Sequence, residues 1–151
     1  SDKSISFLND IVKKYNQQNQ VIKLDVTDFY MAEFSSCPNE QCYCSPYTLL
    51  RLFVDKIPEI TGKLLYLDID IMFNRDICLL YNQDLSGYEY AAARDHYGKF
   101  LLNPNYINAG VLLFNMKKCR ETGLFEKARN LIKTKKMLFF ISAGAKKCIK
   151  L

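Results

Sequence analysis

The chain has 151 residues, 49% of them hydrophobic and 25% charged, a balance that supports one folded domain with a buried core and excludes wholesale disorder. No apolar run approaches the roughly eighteen residues that a membrane-spanning helix needs. The net charge of +5 is unevenly spread: residues 1–126 carry 13 Lys and Arg against 16 Asp and Glu, whereas 8 basic and no acidic residues lie from Lys127 onward.

Taken in chain order, Ile5, Leu8, Ile11, Val12 and Tyr15 recur at helical spacing and predict an amphipathic helix over residues 4–19. Residues 21–26, Val-Ile-Lys-Leu-Asp-Val, are β-rich and partly alternating, as in a strand. Residues 27–44 read as irregular and polar. Ser45-Pro46 then has the form of a helix start, with Ser as cap and Pro in the first turn, and the helix should end near Pro58. Leu64-Leu65-Tyr66-Leu67 is an apolar run between Gly62 and Asp68, suited to a parallel strand with Leu65 and Leu67 buried on both faces. Residues 90–93 and 111–114 predict two more core strands, and residues 124–132 a helix with Leu124, Phe125, Ala128, Leu131 and Ile132 on one face. Helices alternating with buried strands predict a single α/β domain with a mainly parallel sheet.

The 6 cysteines, at 37, 42, 44, 78, 119 and 148, show no framework spacing, and Ser1-Asp2-Lys3-Ser4 lacks the layout of a secretory leader. A reducing, cytoplasmic setting is the expectation. Cys37, Cys42 and Cys44 invite a zinc reading, but no His lies near them and the plain alternative is a reduced loop. The basic tail, residues 133–151, reads either as a solvated face or as a peripheral contact with anionic lipid or acidic glycan.

The chemistry centres on Asp68-Ile69-Asp70, where the apolar strand stops. In open α/β sheets, ligands bind beyond the carboxyl ends of strands. In an extended chain, residues two apart share a side, so both carboxylates can face one site while Ile69 turns into the core. Two close carboxylates repel unless a cation lies between them, and all-oxygen ligation selects a hard ion such as Mn²⁺ or Mg²⁺. The bland alternative is a pair of acids at a loop entry. An aspartate-nucleophile phosphatase fits poorly, because Ile71-Met72 follows the pair.

Three segments together carry a closer resemblance: Ser45-Pro46-Tyr47-Thr48-Leu49-Leu50-Arg51-Leu52-Phe53, then Lys63-Leu64-Leu65-Tyr66-Leu67-Asp68-Ile69-Asp70, then Tyr106-Ile107-Asn108-Ala109-Gly110-Val111-Leu112-Leu113-Phe114-Asn115-Met116-Lys117-Lys118. In this order and spacing, over about residues 5–132, the sequence resembles glycosyltransferase family 8, the retaining nucleotide-diphospho-sugar transferases. The resemblance implies a three-layer α/β/α Rossmann-like fold, here incomplete at both ends. It also implies a UDP-glucose or UDP-galactose donor, a glycan or lipid-linked acceptor, and no nucleic-acid partner. Asp68 and Asp70 would hold Mn²⁺ or Mg²⁺, with Asp68 also near the nucleotide ribose. Arg51 would contact the donor's phosphate or sugar side, Asp95 would bind sugar hydroxyls, and Asn108 and Ala109 would line the donor-sugar pocket. No catalytic residue is assigned. Read without the resemblance, Arg51 could pair with a surface acid, Asn108 could serve turn chemistry with Gly110, and Asp95 could be a loop residue.

The sequence departs from the family's pattern in two places. It opens on a helix where the family has a first strand, and residues 138–145 lack the expected acid-amide pair, with the later metal-binding His and Lys missing as well. A catalytically incomplete module that binds glycan or a protein partner is therefore the second reading.

Overall fold

The computed structural model describes residues 2–35, 46–101, 104–134 and 146–149. The elements are α1 (Asp2–Tyr15), α2 (Thr27–Phe34), a 3₁₀ helix (Pro46–Lys56), β1 (Lys63–Leu67), α3 (Cys78–Tyr81), β2 (Tyr90–Arg94), α4 (Gly98–Leu101), β3 (Ile107–Asn115), α5 (Met116–Thr122), α6 (Leu124–Thr134) and β4 (Lys146–Ile149). Helices and strands mix as expected of an α/β protein.

The sheet corrects the expected strand direction. Its order is β1-β3-β2-β4, and β3 runs antiparallel to both of its neighbours; only β2 and β4 are parallel. In β2 and β3 the apolar run reflects burial on both faces, not parallel pairing. Leu112 and Phe114 of β3 pack on one side with Tyr90, Met116, Cys119, Leu124 and Phe125. Leu113 packs on the other side with Ala91 and Leu85. A strand covered on both faces is apolar at every position, whichever way it runs.

Being at the sheet's edge, β1 is only half-buried along its length, so Leu65 and Leu67 are not the two-sided core residues that the sequence suggested. Residues 21–26 form no strand. Asn9 of α1 takes both backbone groups of Val21, accepting from its N–H at 2.7 Å and donating to its carbonyl at 3.1 Å. The basic tail contributes β4, which extends the sheet beside β2.

The segment predicted as an ordinary helix after Ser45 is wound as a 3₁₀ helix. Arginine side chains supply donors to carbonyls along it and just beyond it. Arg51 Nε donates to Thr48, Arg129 Nη1 to Leu52, and Arg120 to Asp55 and Ile57. Carbonyls satisfied from the side do not depend on the amide four residues on, which permits the tighter winding. Beneath this helix Tyr30, Phe34, Leu49, Phe53 and Ile132 form a second core. Its three aromatic rings meet edge to face at 5.3–6.4 Å between centroids.

Candidate functional site

The ladder between β1 and β3 runs past the last residue of β1. Leu67 pairs with Val111, and the Asp68 N–H then donates to the Gly110 carbonyl at 2.9 Å. This contact sets Asp68 against the first half of β3, where Asn108, Ala109 and Gly110 lie. Residues far apart in the chain thus meet at one strand end.

The 3₁₀ helix delivers Arg51 to the same place. Its Nη1 donates to the Ala109 carbonyl at 2.8 Å, its Nε is tied to its own helix at 2.9 Å, and its guanidinium lies 4.5 Å from the centre of the Tyr66 ring. Its Nη2 comes within 3.9 Å of Asp68 Oδ1. Arg51 is thereby fixed on three sides, and its charge is presented next to the Asp68 carboxylate. Tyr66 donates its hydroxyl to the same Oδ1 at 2.6 Å. Burial, reinforced by the Asp68 carboxylate and opposed by Arg51, pushes the Tyr66 phenol up to about 12. It remains a hydrogen-bond donor at neutral pH.

The second oxygen of Asp68 faces Gly110. A Cβ on Gly110 would stand 2.9 Å from Asp68 Oδ2 and 3.2 Å from Asn108 Oδ1, so any larger residue would crowd both side chains. Asn108 Oδ1 accepts from the Gly110 N–H at 2.8 Å, the turn chemistry foreseen as its plain role. The structure therefore brings Arg51, Asp68, Asn108 and Ala109 together, with Tyr66 and Gly110 as additions that the sequence reading missed. For Tyr66 the signal was available: it lies two residues before Asp68, the spacing that puts side chains on one side of an extended chain.

Two expected residues stand differently. Asp70 is exposed in the turn after β1, and Ile69 is fully exposed rather than turned into the core. The alternation rule fails here because β1 ends at Leu67 and the chain bends at Ile69 and Asp70. Asp95 closes β2, where its N–H donates to Tyr106 and its Oδ1 accepts from the amides of Tyr97 and Gly98 at 3.0 and 2.6 Å. That oxygen caps the turn into α4.

Of the basic residues after Lys127, Arg129 is buried and paired with Glu33 and Asp55, and Lys133 is paired with Glu33. These two serve packing, not a free basic face. Cys37, Cys42 and Cys44 lie outside the described residues. Among the described residues no group of three or more His, Cys, Asp and Glu side chains is assembled. No helix among them is long and apolar enough to cross a membrane.

The mixed sheet thus carries an aspartate at the end of β1, and the 3₁₀ helix sets an arginine beside it. The chain matches Glycosyl transferase family 8 over residues 1–143 and belongs to that family. A Haemophilus influenzae protein classed by name among the glycosyltransferases is 31% identical over 137 residues, covering 78% of this chain and 42% of that one. The apo form of the glycosyltransferase GlyE from Streptococcus pneumoniae TIGR4 superposes with a TM-score of 0.52 at 30% identity, over 63% of this chain and 23% of that one. The galactosyltransferase LgtC, solved with donor and acceptor sugar analogues, superposes with a TM-score of 0.52 at 25% identity, over 66% of this chain and 42% of that one. The chain spans less than half the length of each of these relatives.

Proposed function

We propose that this chain forms the donor-binding part of a metal-dependent hexosyltransferase. The enzyme moves a hexose from UDP-glucose or UDP-galactose to a glycan or lipid-linked hydroxyl with retention. The observation that carries this reading is the meeting of Arg51 and Asp68 at the end of β1, a fixed cation beside a carboxylate whose Oδ2 fits against Gly110 only because that residue has no Cβ. Residues 1–151 would supply part of a three-layer Rossmann-like glycosyltransferase domain working in the cytoplasm, with the basic tail as a peripheral contact with the membrane surface.

The side chains fit a hard divalent ion. Asp68 at the strand end and Asp70 in the exposed turn after it offer carboxylate oxygens, the hard donors such an ion takes, and Gly110, lacking a Cβ, leaves room for Asp68 Oδ2. Mn²⁺ or Mg²⁺ bound there would neutralise the diphosphate leaving group. Arg51 contributes a second, permanent positive charge, held by two backbone carbonyls and so already oriented as negative charge grows on the departing diphosphate. Asn108 spends its side-chain oxygen on Gly110 and keeps its NH₂ group for a sugar hydroxyl. Asp95 commits Oδ1 to backbone amides, so Oδ2 is the oxygen left for the donor sugar.

The test is calorimetric titration with UDP in Mn²⁺ and in EDTA, alongside UDP release from UDP-glucose and UDP-galactose. Binding should require the metal and should fall in Asp70→Ala. Equal UDP affinity in EDTA would overturn the roles given to Asp68 and Asp70. Metal-dependent binding with no turnover would favour the second reading, a binding module without the complete reaction centre.

A further inference from the structure

The two oxygens of Asp68 have different surroundings. Oδ1 receives the Tyr66 hydroxyl at 2.6 Å and has the Arg51 guanidinium at 3.9 Å, while Oδ2 lies on the Gly110 side, 2.9 Å from where a Cβ would stand, with no donor among the described residues bonded to it. A carboxylate at the end of an edge strand, 39% exposed in its side chain, would otherwise be free to rotate. The hydroxyl removes that freedom from one side. The same Tyr66 ring also carries the Arg51 guanidinium on its face, 4.5 Å from the ring centre.

We infer that Tyr66 is a positioning residue for the metal: it holds Asp68 Oδ1 so that Oδ2 is the oxygen presented to the cation, and its ring keeps Arg51 beside that carboxylate. The inference rests on the proposal that Asp68 and Asp70 bind a divalent ion. It assigns the work of orienting the ligand to a residue that touches neither the ion nor the donor. Groups that hydrogen-bond metal ligands commonly change metal affinity by roughly 10–100-fold when removed.

The experiment uses the whole chain and Mn²⁺ alone, read by calorimetry and by the loss of free-Mn²⁺ EPR signal. Tyr66→Phe removes the hydroxyl and keeps the ring. It should weaken Mn²⁺ binding by roughly 10-fold, with an unchanged melting temperature, which a purely structural role would shift. Gly110→Ala approaches from the opposite side, crowding Oδ2 without altering Tyr66, and should weaken Mn²⁺ as well. It answers the question even if Tyr66→Phe proves unstable. If wild type binds Mn²⁺ and loses it in Asp70→Ala, yet a folded Tyr66→Phe or Gly110→Ala binds as tightly as wild type, the positioning role is overturned and the metal site stands. If wild type binds no Mn²⁺, the metal reading fails and this inference fails with it.

Discussion

Replacing Arg129 by Met should remove about 3 kcal/mol of stability while barely changing side-chain volume. Arg129 is 1% exposed and ties three helical elements together. From α6 it donates to the Leu52 carbonyl at 2.6 Å and to both carboxylate oxygens of Asp55 at 2.7 and 3.1 Å, in the 3₁₀ helix. Its Nε lies 3.2 Å from Glu33 of α2, an ionic contact without hydrogen-bond alignment. Removing one partner of a buried pair costs about 3–5 kcal/mol, because the other charge stays behind. The lower end applies here, since Asp55 and Glu33 retain 17% and 24% side-chain exposure and Lys133 still reaches Glu33 at 2.6 Å. Lys133→Met, by contrast, breaks a half-exposed contact and should cost about 1 kcal/mol or less. Urea denaturation of the three proteins separates these values.

The same network predicts a pH dependence. Burial pushes the Glu33 carboxyl up, but the Lys133 hydrogen bond and the charges of Arg129, Lys133 and Lys56 outweigh it, leaving the group below its ordinary value of 4.5. A carboxylate lowered in the folded state stabilises the fold above its unfolded pKa, and that stability is lost as pH falls through the folded value. The gap between wild type and Arg129→Met should therefore be full at pH 7 and narrow as the pH falls below 4.5. A cost under about 1 kcal/mol at pH 7, or a gap that widens in acid, would refute the account of Arg129 as the buried tie.

Arg51→Ala should weaken UDP binding in Mn²⁺ by about 1.5–3 kcal/mol, the usual worth of a charged contact, and added salt should weaken binding to wild type more than to the variant; titration at two ionic strengths checks both. Leu113→Ala, at 1% exposure in the central strand, should cost roughly 2–5 kcal/mol in urea melts. Leu65→Ala, on the half-buried edge strand β1, should cost clearly less. Equal losses at the two positions would contradict the strand order.

Local sequence determined a good deal of this protein. Apolar spacing placed the strands around Leu64, Ala91 and Leu112 and the helix from Leu124, because burial imposes its pattern on the residues themselves. Asp68 at a strand end and Arg51 on a helix were legible for the same reason. Strand direction was not, because two-sided burial produces an apolar run whichever way a strand points, and only the partners across β3 decide. The exposure of Ile69 depended on where the β1 ladder stops, which the pairing of Leu67 with Val111 sets. The meeting of Arg51 with Ala109, 58 residues on, and of Arg129 with Asp55, 74 residues away, left no mark on local composition. A charged residue reads as solvated until tertiary packing brings it a partner, and only then does Arg129 of the helix from Leu124 become core and a strand tyrosine, Tyr66, become part of the site.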